Sequence, residues 1–126
     1  MNRFFLTLSI AALAVSASWS TLAADKEFEP IEKAMKFAHK APKGEKKVSD
    51  RIIDGTASEE ELQKTLVLYK AMADTKPPKG DAGAFKDRVA KLIDVTENVV
   101  AKKDGATAAY KEAINCKACH SEHKAD

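Results

Sequence analysis

Five residues near the C-terminus have the types and spacing to hold a cofactor covalently: Cys116, Lys117, Ala118, Cys119 and His120. Two thiols three positions apart, followed directly by an imidazole, form the C-x-x-C-H pattern typical of covalent haem c attachment. In that chemistry the cysteine sulfurs form thioethers with the two porphyrin vinyl groups, and the adjacent histidine binds the iron from one face. The chain has no other cysteine. We therefore predict Cys116 and Cys119 as attachment points and His120 as an axial iron ligand.

Two other kinds of site use the same residue types. A C-x-x-C dithiol can be a redox motif, but that motif belongs to a strand-helix-strand context, and no strand pattern surrounds residue 116. A zinc ion could use Cys116, Cys119, His120 and His123, all within eight residues on one predicted helix. Structural zinc sites usually have a second, distant pair of ligands, which this chain lacks. Both kinds of site stay as alternatives to haem.

Residues 1–24 have the pattern of a secretory signal peptide. They carry a single arginine as their only charge, and residues 4–15 form a mainly apolar run that ends before a stretch of small residues. The run is too short for a membrane span, and no later stretch is long and apolar enough for one. We predict cleavage after Ala23 or Ala24, which leaves residues 25–126 as one exported, periplasmic domain.

The charge balance limits the class of partner. The chain has 21 Lys and Arg against 19 Asp and Glu, and loss of the signal arginine leaves 20 against 19. Two haem propionates would make the holoprotein slightly acidic. This balance gives no reason to expect a nucleic-acid or membrane-surface partner. About a hundred residues form one small domain, whose modest apolar core a covalent cofactor would enlarge.

Apolar residues recur at helical rather than strand spacing along the mature chain. Proline, glycine and an S-x-x-E capping box mark the boundaries of these segments. The pattern predicts helix A over residues 28–41, a short helix or compact loop over 45–54, helix B from Ser58 to about Asp74, a connector over 75–81, helix C over 83–103, and helix D over 107–123.

Four substantial helices joined by short connections favour an all-α, antiparallel, up-down-up-down four-helix bundle. The short helix or loop would be an addition between the first and second helices. In such a bundle the end of helix D lies beside the start of helix A. We therefore expect the early turns of helix A to cover the far face of the haem.

Helix A offers two residues that can bind iron, Met35 and His39, one turn apart on its apolar stripe. Met35 is predicted as the sixth ligand, with core packing as its other role. A methionine sulfur favours ferrous iron and raises the reduction potential, as in an electron carrier. His39 is the alternative ligand, although its later position is expected to carry it away from His120. His123 is predicted to be exposed, since it cannot reach the opposite face.

With a signal peptide, four predicted helices and the haem motif close to the C-terminus, the chain resembles the class II c-type cytochromes, the cytochrome c′ group and its low-spin relatives. The resemblance implies thioethers at Cys116 and Cys119, ligation by His120, and Met35 in the place of the helix A methionine of low-spin members. High-spin members have an apolar residue there, usually dimerise and bind gases such as nitric oxide. Residues 42–55 depart from that layout.

We therefore expect a periplasmic, monohaem cytochrome that exchanges single electrons with redox partner proteins, as a monomer or homodimer, and that is not an enzyme. Lys117 and the first turns of helix A would lie beside the haem edge where electrons leave. The alternative is a five-coordinate protein that binds nitric oxide or carbon monoxide. A third hypothesis, a peroxidase-like haem with His39 as distal acid-base group, is weaker because no arginine shares its stripe.

Overall fold

A computed structural model describes residues 27–125 of the chain, and the predicted signal peptide lies outside this range. The described residues are all-helical and contain no strand, which confirms the all-α class. The helices are α1 (Glu29–Ala38), α2 (Val48–Asp54), α3 (Glu59–Ala73), α4 (Ala82–Val100), α5 (Ala106–Ala113) and α6 (Cys116–His123). Among these helices, none has the length and apolar character that a bilayer crossing requires.

Helix α1 is shorter than the predicted helix A and ends at Ala38 instead of residue 41. Pro42 explains the difference, because proline has no N–H to donate to the Ala38 carbonyl and its ring would clash with that carbonyl. His39 is consequently the C-cap, and its backbone N–H donates to the Met35 carbonyl at 3.1 Å. The candidate ligand His39 thus lies where the backbone leaves the helix.

The segment between the first two long helices forms α2. Val48 and Ile52 bury its apolar side, and Gly55 ends it with φ of +71°, a left-handed conformation in which glycine has no steric penalty. The capping box that starts α3 is confirmed. The Ser58 side chain accepts a hydrogen bond from the Glu61 N–H, and the Glu61 carboxylate accepts one from the Ser58 N–H.

Helix α4 ends at Val100, short of the predicted residue 103. The chain leaves it through a Schellman turn, in which Lys102 donates to the Val99 carbonyl and Lys103 donates to the Asn98 carbonyl. Lys102 takes the left-handed conformation of that turn, with φ of +55°. The sequence pattern placed this role at Gly105, which instead precedes α5 as its N-cap.

The predicted continuous helix D over residues 107–123 is wrong, because the chain breaks at Ile114 and Asn115 into α5 and α6. Asn115 is the N-cap of α6, and its side-chain oxygen accepts a hydrogen bond from the Ala118 N–H at 3.1 Å. Asparagine favours a cap over a helix interior, since its side chain can satisfy an unpaired backbone amide. The C-x-x-C-H motif therefore begins a helix of its own.

The core is built around α4, which packs against both α3 and α5. Helix α1 packs on α3, where Ala34 and Ala38 are completely buried and their small side chains allow a close approach. Helix α2 contacts α5 and α1, while α6 contacts α4. Two tyrosines, Tyr69 of α3 and Tyr110 of α5, are among the largest fully buried side chains. Their hydroxyl groups bring polar chemistry into the apolar core.

Candidate haem site

The haem motif occupies the first turns of α6. Cys116, Cys119 and His120 stand at positions i, i+3 and i+4, so they project from one side of the helix. Both thiols are free, and Cys116 and His120 are exposed while Cys119 is half-buried. Burial raises the pKa of the Cys119 thiol, an effect that the charge of Arg88 opposes. Two free thiols, one exposed and one half-buried, and an exposed imidazole on one side of a helix are the donor set that covalent haem needs.

Three polar side chains, those of His39, Tyr69 and Tyr110, form a hydrogen-bonded cluster. The Tyr69 hydroxyl oxygen lies 2.8 Å from His39 Nε2 and 2.8 Å from the Tyr110 hydroxyl oxygen. The His39 and Tyr69 rings also stack, with centroids 5.9 Å apart and planes 16° apart. The three side chains come from the end of α1, from α3 and from α5, and we call them the His-Tyr-Tyr chain.

Electrostatic interactions link the His-Tyr-Tyr chain to the haem motif. Burial, together with smaller electrostatic effects of Lys47 and His120, lowers the pKa of His39 to about 4. Burial also raises the pKa of Tyr69 well above its usual value and that of Tyr110 to about 12, and the Cys116 thiol contributes to both shifts. His39 is therefore neutral near pH 7, and His120 is close enough to act on its pKa.

This position differs from the expectation that His39 would be carried away from His120. The predicted helix D is interrupted between α5 and α6, and α1 ends at Ala38 so that His39 is its C-cap. Met35, one turn earlier, is partly buried and packs against the apolar core. The structure thus keeps both candidate ligands on the inner side of α1, with His39 in a polar setting and Met35 in an apolar one.

His123 is buried, so the prediction of an exposed residue is wrong. Only 3% of it is accessible, and its Nδ1 lies 3.1 Å from the Lys79 carbonyl oxygen. The ring packs edge-on against Phe85 with centroids 5.4 Å apart. Because a carbonyl can only accept, Nδ1 carries the hydrogen, and Nε2 has no hydrogen-bond partner among residues 27–125. His123 fastens the end of α6 to the α3–α4 connector.

The four residues considered as zinc ligands are not brought together. Within residues 27–125, no three His, Cys, Asp or Glu side chains are grouped so that they could hold a metal ion. His123 is buried against Lys79 and Phe85, whereas His120, one turn earlier, is exposed. This arrangement does not fit a four-ligand zinc site.

Tyr69 and Tyr110 are the residues whose polar role the sequence pattern did not reveal. In the sequence both stand among apolar residues at helical spacing, which indicates only that their rings lie on apolar helix faces. A buried tyrosine hydroxyl nevertheless almost always has a hydrogen-bond partner, and this rule is the signal that could have indicated a polar site. Which side chain provides the partner depends on the arrangement of the helices.

Cys116, Cys119 and His120 are the residues of α6 that could hold a haem, which would need two thioether attachment points and an imidazole ligand. Comparisons of the chain with protein-family models, with curated proteins and with solved structures find no match.

Proposed function

We propose that this protein is a monohaem c-type cytochrome that carries single electrons between redox proteins. The observation that carries the proposal is the placement of Cys116, Cys119 and His120 at i, i+3 and i+4 on the accessible side of α6, with both thiols free. A haem bound there supplies a reversible one-electron change at its iron. The chain supplies two thioether attachment points and one imidazole ligand.

The opposite axial position is assigned to α1. Met35 is the proposed sixth ligand and His39 the alternative. A thioether is a soft ligand that favours ferrous iron, so that His-Met ligation gives the raised reduction potential of an electron carrier. Met35 lies at the edge of the apolar core, and such an apolar surrounding would keep water from an iron bound there.

The wider setting of the proposal follows the resemblance to class II c-type cytochromes. We propose that α1, α3, α4 and the α5–α6 pair correspond to the four helices of an antiparallel bundle, with α2 as the additional helix. Residues 1–24 would direct export to the periplasm, where haem is attached. The redox partners would approach the exposed side of α6, which includes Lys117.

The test starts with the full chain, expressed in a bacterial host that exports proteins and attaches haem c. Covalent haem is measured by the mass of the mature protein and by the haem absorbance that survives denaturation. We expect one haem per chain in the parent and in Lys117→Ala, because Lys117 lies within the motif but is neither an attachment point nor an iron ligand. We expect the attached haem to be lost in Cys116→Ala/Cys119→Ala. A parent protein without covalent haem would overturn the proposal.

The same holoprotein separates the electron carrier from the five-coordinate, gas-binding alternative. A low-spin spectrum in both oxidation states, with slow or no binding of carbon monoxide, supports an electron carrier. A high-spin ferrous spectrum with rapid carbon monoxide binding supports the alternative. Met35→Ala should convert the first pattern to the second, because its side chain can no longer reach the iron.

A further inference from the structure

The hydrogen bonds of the His-Tyr-Tyr chain have a direction. The Tyr69 hydroxyl has one hydrogen and two neighbours at 2.8 Å, His39 Nε2 and the Tyr110 oxygen. It must therefore donate to one of them and accept from the other. If His39 donated to Tyr69, then Tyr69 would donate to Tyr110, and the Tyr110 hydrogen would need another acceptor.

Burial of Tyr110 decides between the two directions. Its side chain is fully buried, and its hydroxyl has no second hydrogen-bond partner among residues 27–125. A buried donor without an acceptor is unfavourable, because it has lost its hydrogen bonds to water without a replacement. The favoured direction therefore runs from Tyr110 to Tyr69 to His39, in which every hydroxyl hydrogen has an acceptor.

This direction occupies both nitrogens of His39. The Nε2 lone pair accepts the Tyr69 hydrogen, and in the neutral ring Nδ1 carries a hydrogen and has no lone pair to offer. The low pKa of His39 agrees with this neutral form. Tyr69 is completely buried and stacks on the His39 ring, so neither ring can turn freely. Met35 has no comparable hydrogen bond to give up.

We propose that Tyr69 selects the iron ligand: its hydrogen bond to His39 Nε2 keeps this imidazole off the iron and leaves the axial position to Met35. The inference rests on the proposed function, since it requires a haem on α6. Tyr69 is a positioning residue in this scheme, and Tyr110 supports it by donating to its oxygen. Loss of the Tyr69 hydroxyl would free the Nε2 lone pair to compete for iron.

The experiment compares the ferric holoproteins of the parent, Tyr69→Phe and the double variant Tyr69→Phe/His39→Gln. Electron paramagnetic resonance and optical spectra report the axial ligands. We expect the parent to show a His-Met signature. Tyr69→Phe should lose the Met-to-iron charge-transfer band, gain a bis-histidine signature, and have a lower reduction potential, because an imidazole would replace the thioether. The double variant should regain the parent spectrum, since no histidine remains to compete.

Two results would overturn the inference. One is a parent protein that already has a bis-histidine signature, which His39→Gln removes. The other is a Tyr69→Phe protein with native helical circular dichroism, covalent haem and an unchanged spectrum. Covalent haem is measured on the same samples, so that failure of haem attachment, which contradicts the proposed function, is distinguished from failure of ligand selection.

Nitrogen-15 NMR of the parent holoprotein provides a measurement that does not depend on how well the variants fold. We expect His39 to carry its hydrogen on Nδ1 and to show an Nε2 shift typical of a hydrogen-bond acceptor. Protonation of Nε2, or a large iron-induced shift of either His39 nitrogen, would contradict the proposal.

Discussion

The three histidines of the chain have three different environments, although each lies on or next to a helix with polar neighbours in sequence. His120 is exposed and available to a haem, while His123 is buried against Phe85. His39 is partly buried and, in the favoured direction of the His-Tyr-Tyr hydrogen bonds, it accepts a hydrogen bond from Tyr69. A hydrogen bond to an imidazole nitrogen competes with iron for the same lone pair, so under our proposal these contacts would select the histidine that binds a haem.

The low pKa of His39 predicts a pH dependence of stability. The folded value is about 4 and the value in the unfolded chain is about 6.5, so between these values the unfolded chain binds more protons. Stability should therefore rise with pH across this window, by roughly 3 kcal/mol in total, because one pKa unit corresponds to about 1.4 kcal/mol. The measurement is urea unfolding of the oxidised holoprotein from pH 4 to 7.

The matched control for this prediction is His39→Gln, whose amide can still accept from Tyr69 but does not titrate in this range. The pH dependence of the parent minus that of the variant isolates His39 from the carboxylates, which both proteins share. Parallel curves for the two proteins would show that the protonation of His39 is not linked to folding.

Helix α6 depends on a small number of contacts with the rest of the fold. Its N-terminus is capped by Asn115, and its C-terminal end is held by His123 on the Lys79 carbonyl and by an ion pair between Glu122 and Arg88 at 3.0 Å. The ion pair is exposed and contributes little, since water screens such charges. The cap and the buried histidine therefore carry most of the positioning of the haem motif.

Gly80 is the position where α6 approaches the connector most closely. It has φ of +81°, and a Cβ there would lie 2.5 Å from the Glu122 carbonyl oxygen and 2.9 Å from His123 Nδ1. Gly80→Ala should displace α6 and destabilise the protein by about 1–3 kcal/mol beyond the cost of the backbone conformation alone. Urea unfolding measures the loss, and the Soret circular dichroism reports any movement of the haem.

Gly55→Ala is the matched control, because Gly55 has a similar φ of +71° and open space around its Cα. This variant carries the cost of the left-handed conformation, about 1–2 kcal/mol, without any clash. Equal losses for the two variants, together with an unchanged Soret signal in Gly80→Ala, would show that close approach of α6 at Gly80 does not matter.

The Asn115 cap predicts a second effect on α6. Asn115→Ala removes the acceptor for the Ala118 N–H and should cost about 1 kcal/mol of unfolding free energy. Asn115→Asp keeps an acceptor at the same place and should retain most of the stability. We expect the alanine variant also to fray the first turn of α6, which amide hydrogen exchange of Ala118 and Cys119 would detect. Similar exchange rates in both variants would argue against the cap.

At the scale of the whole molecule, the described chain is an all-helical domain in which α4 contacts three other helices. A covalent haem would join α6 to the inner side of α1, two elements at opposite ends of the chain. The cofactor would thus stabilise the fold as well as supply its chemistry, because it adds buried apolar surface that a small chain lacks.

The predicted signal peptide determines where the exported, mature protein should begin. Expression of residues 1–126 should yield a periplasmic protein whose mass corresponds to a start at Ala24 or Asp25 and includes one haem. The matched control is an Arg3→Glu/Leu8→Asp chain, whose altered charge and broken apolar run should block export and haem attachment together. Recovery of an uncleaved chain with Met1 from the parent would contradict the signal peptide.

The sequence predicted well those features that depend on neighbouring residues. The capping box at Ser58, the connector over 75–81 and the all-α class follow from local hydrogen bonding and apolar periodicity, and the structure confirms them. The predicted end of helix A was too late. Pro42 prevents the helical hydrogen bond to the Ala38 carbonyl, four residues before it, so the helix ends there. The break at Asn115 was missed because apolar spacing continues through a cap residue and gives no sign of a change in helix direction.

The sequence by itself determined that Cys116, Cys119 and His120 share one side of a helix, because any helix places residues at i, i+3 and i+4 together. Only the tertiary structure decided the surroundings of that motif. The hydrogen bonds of Tyr69 join residues 30 and 41 positions apart, and the contact of His123 with Lys79 spans 44. Such partners meet only when the helices have packed, since no local preference of the backbone specifies a contact at that separation.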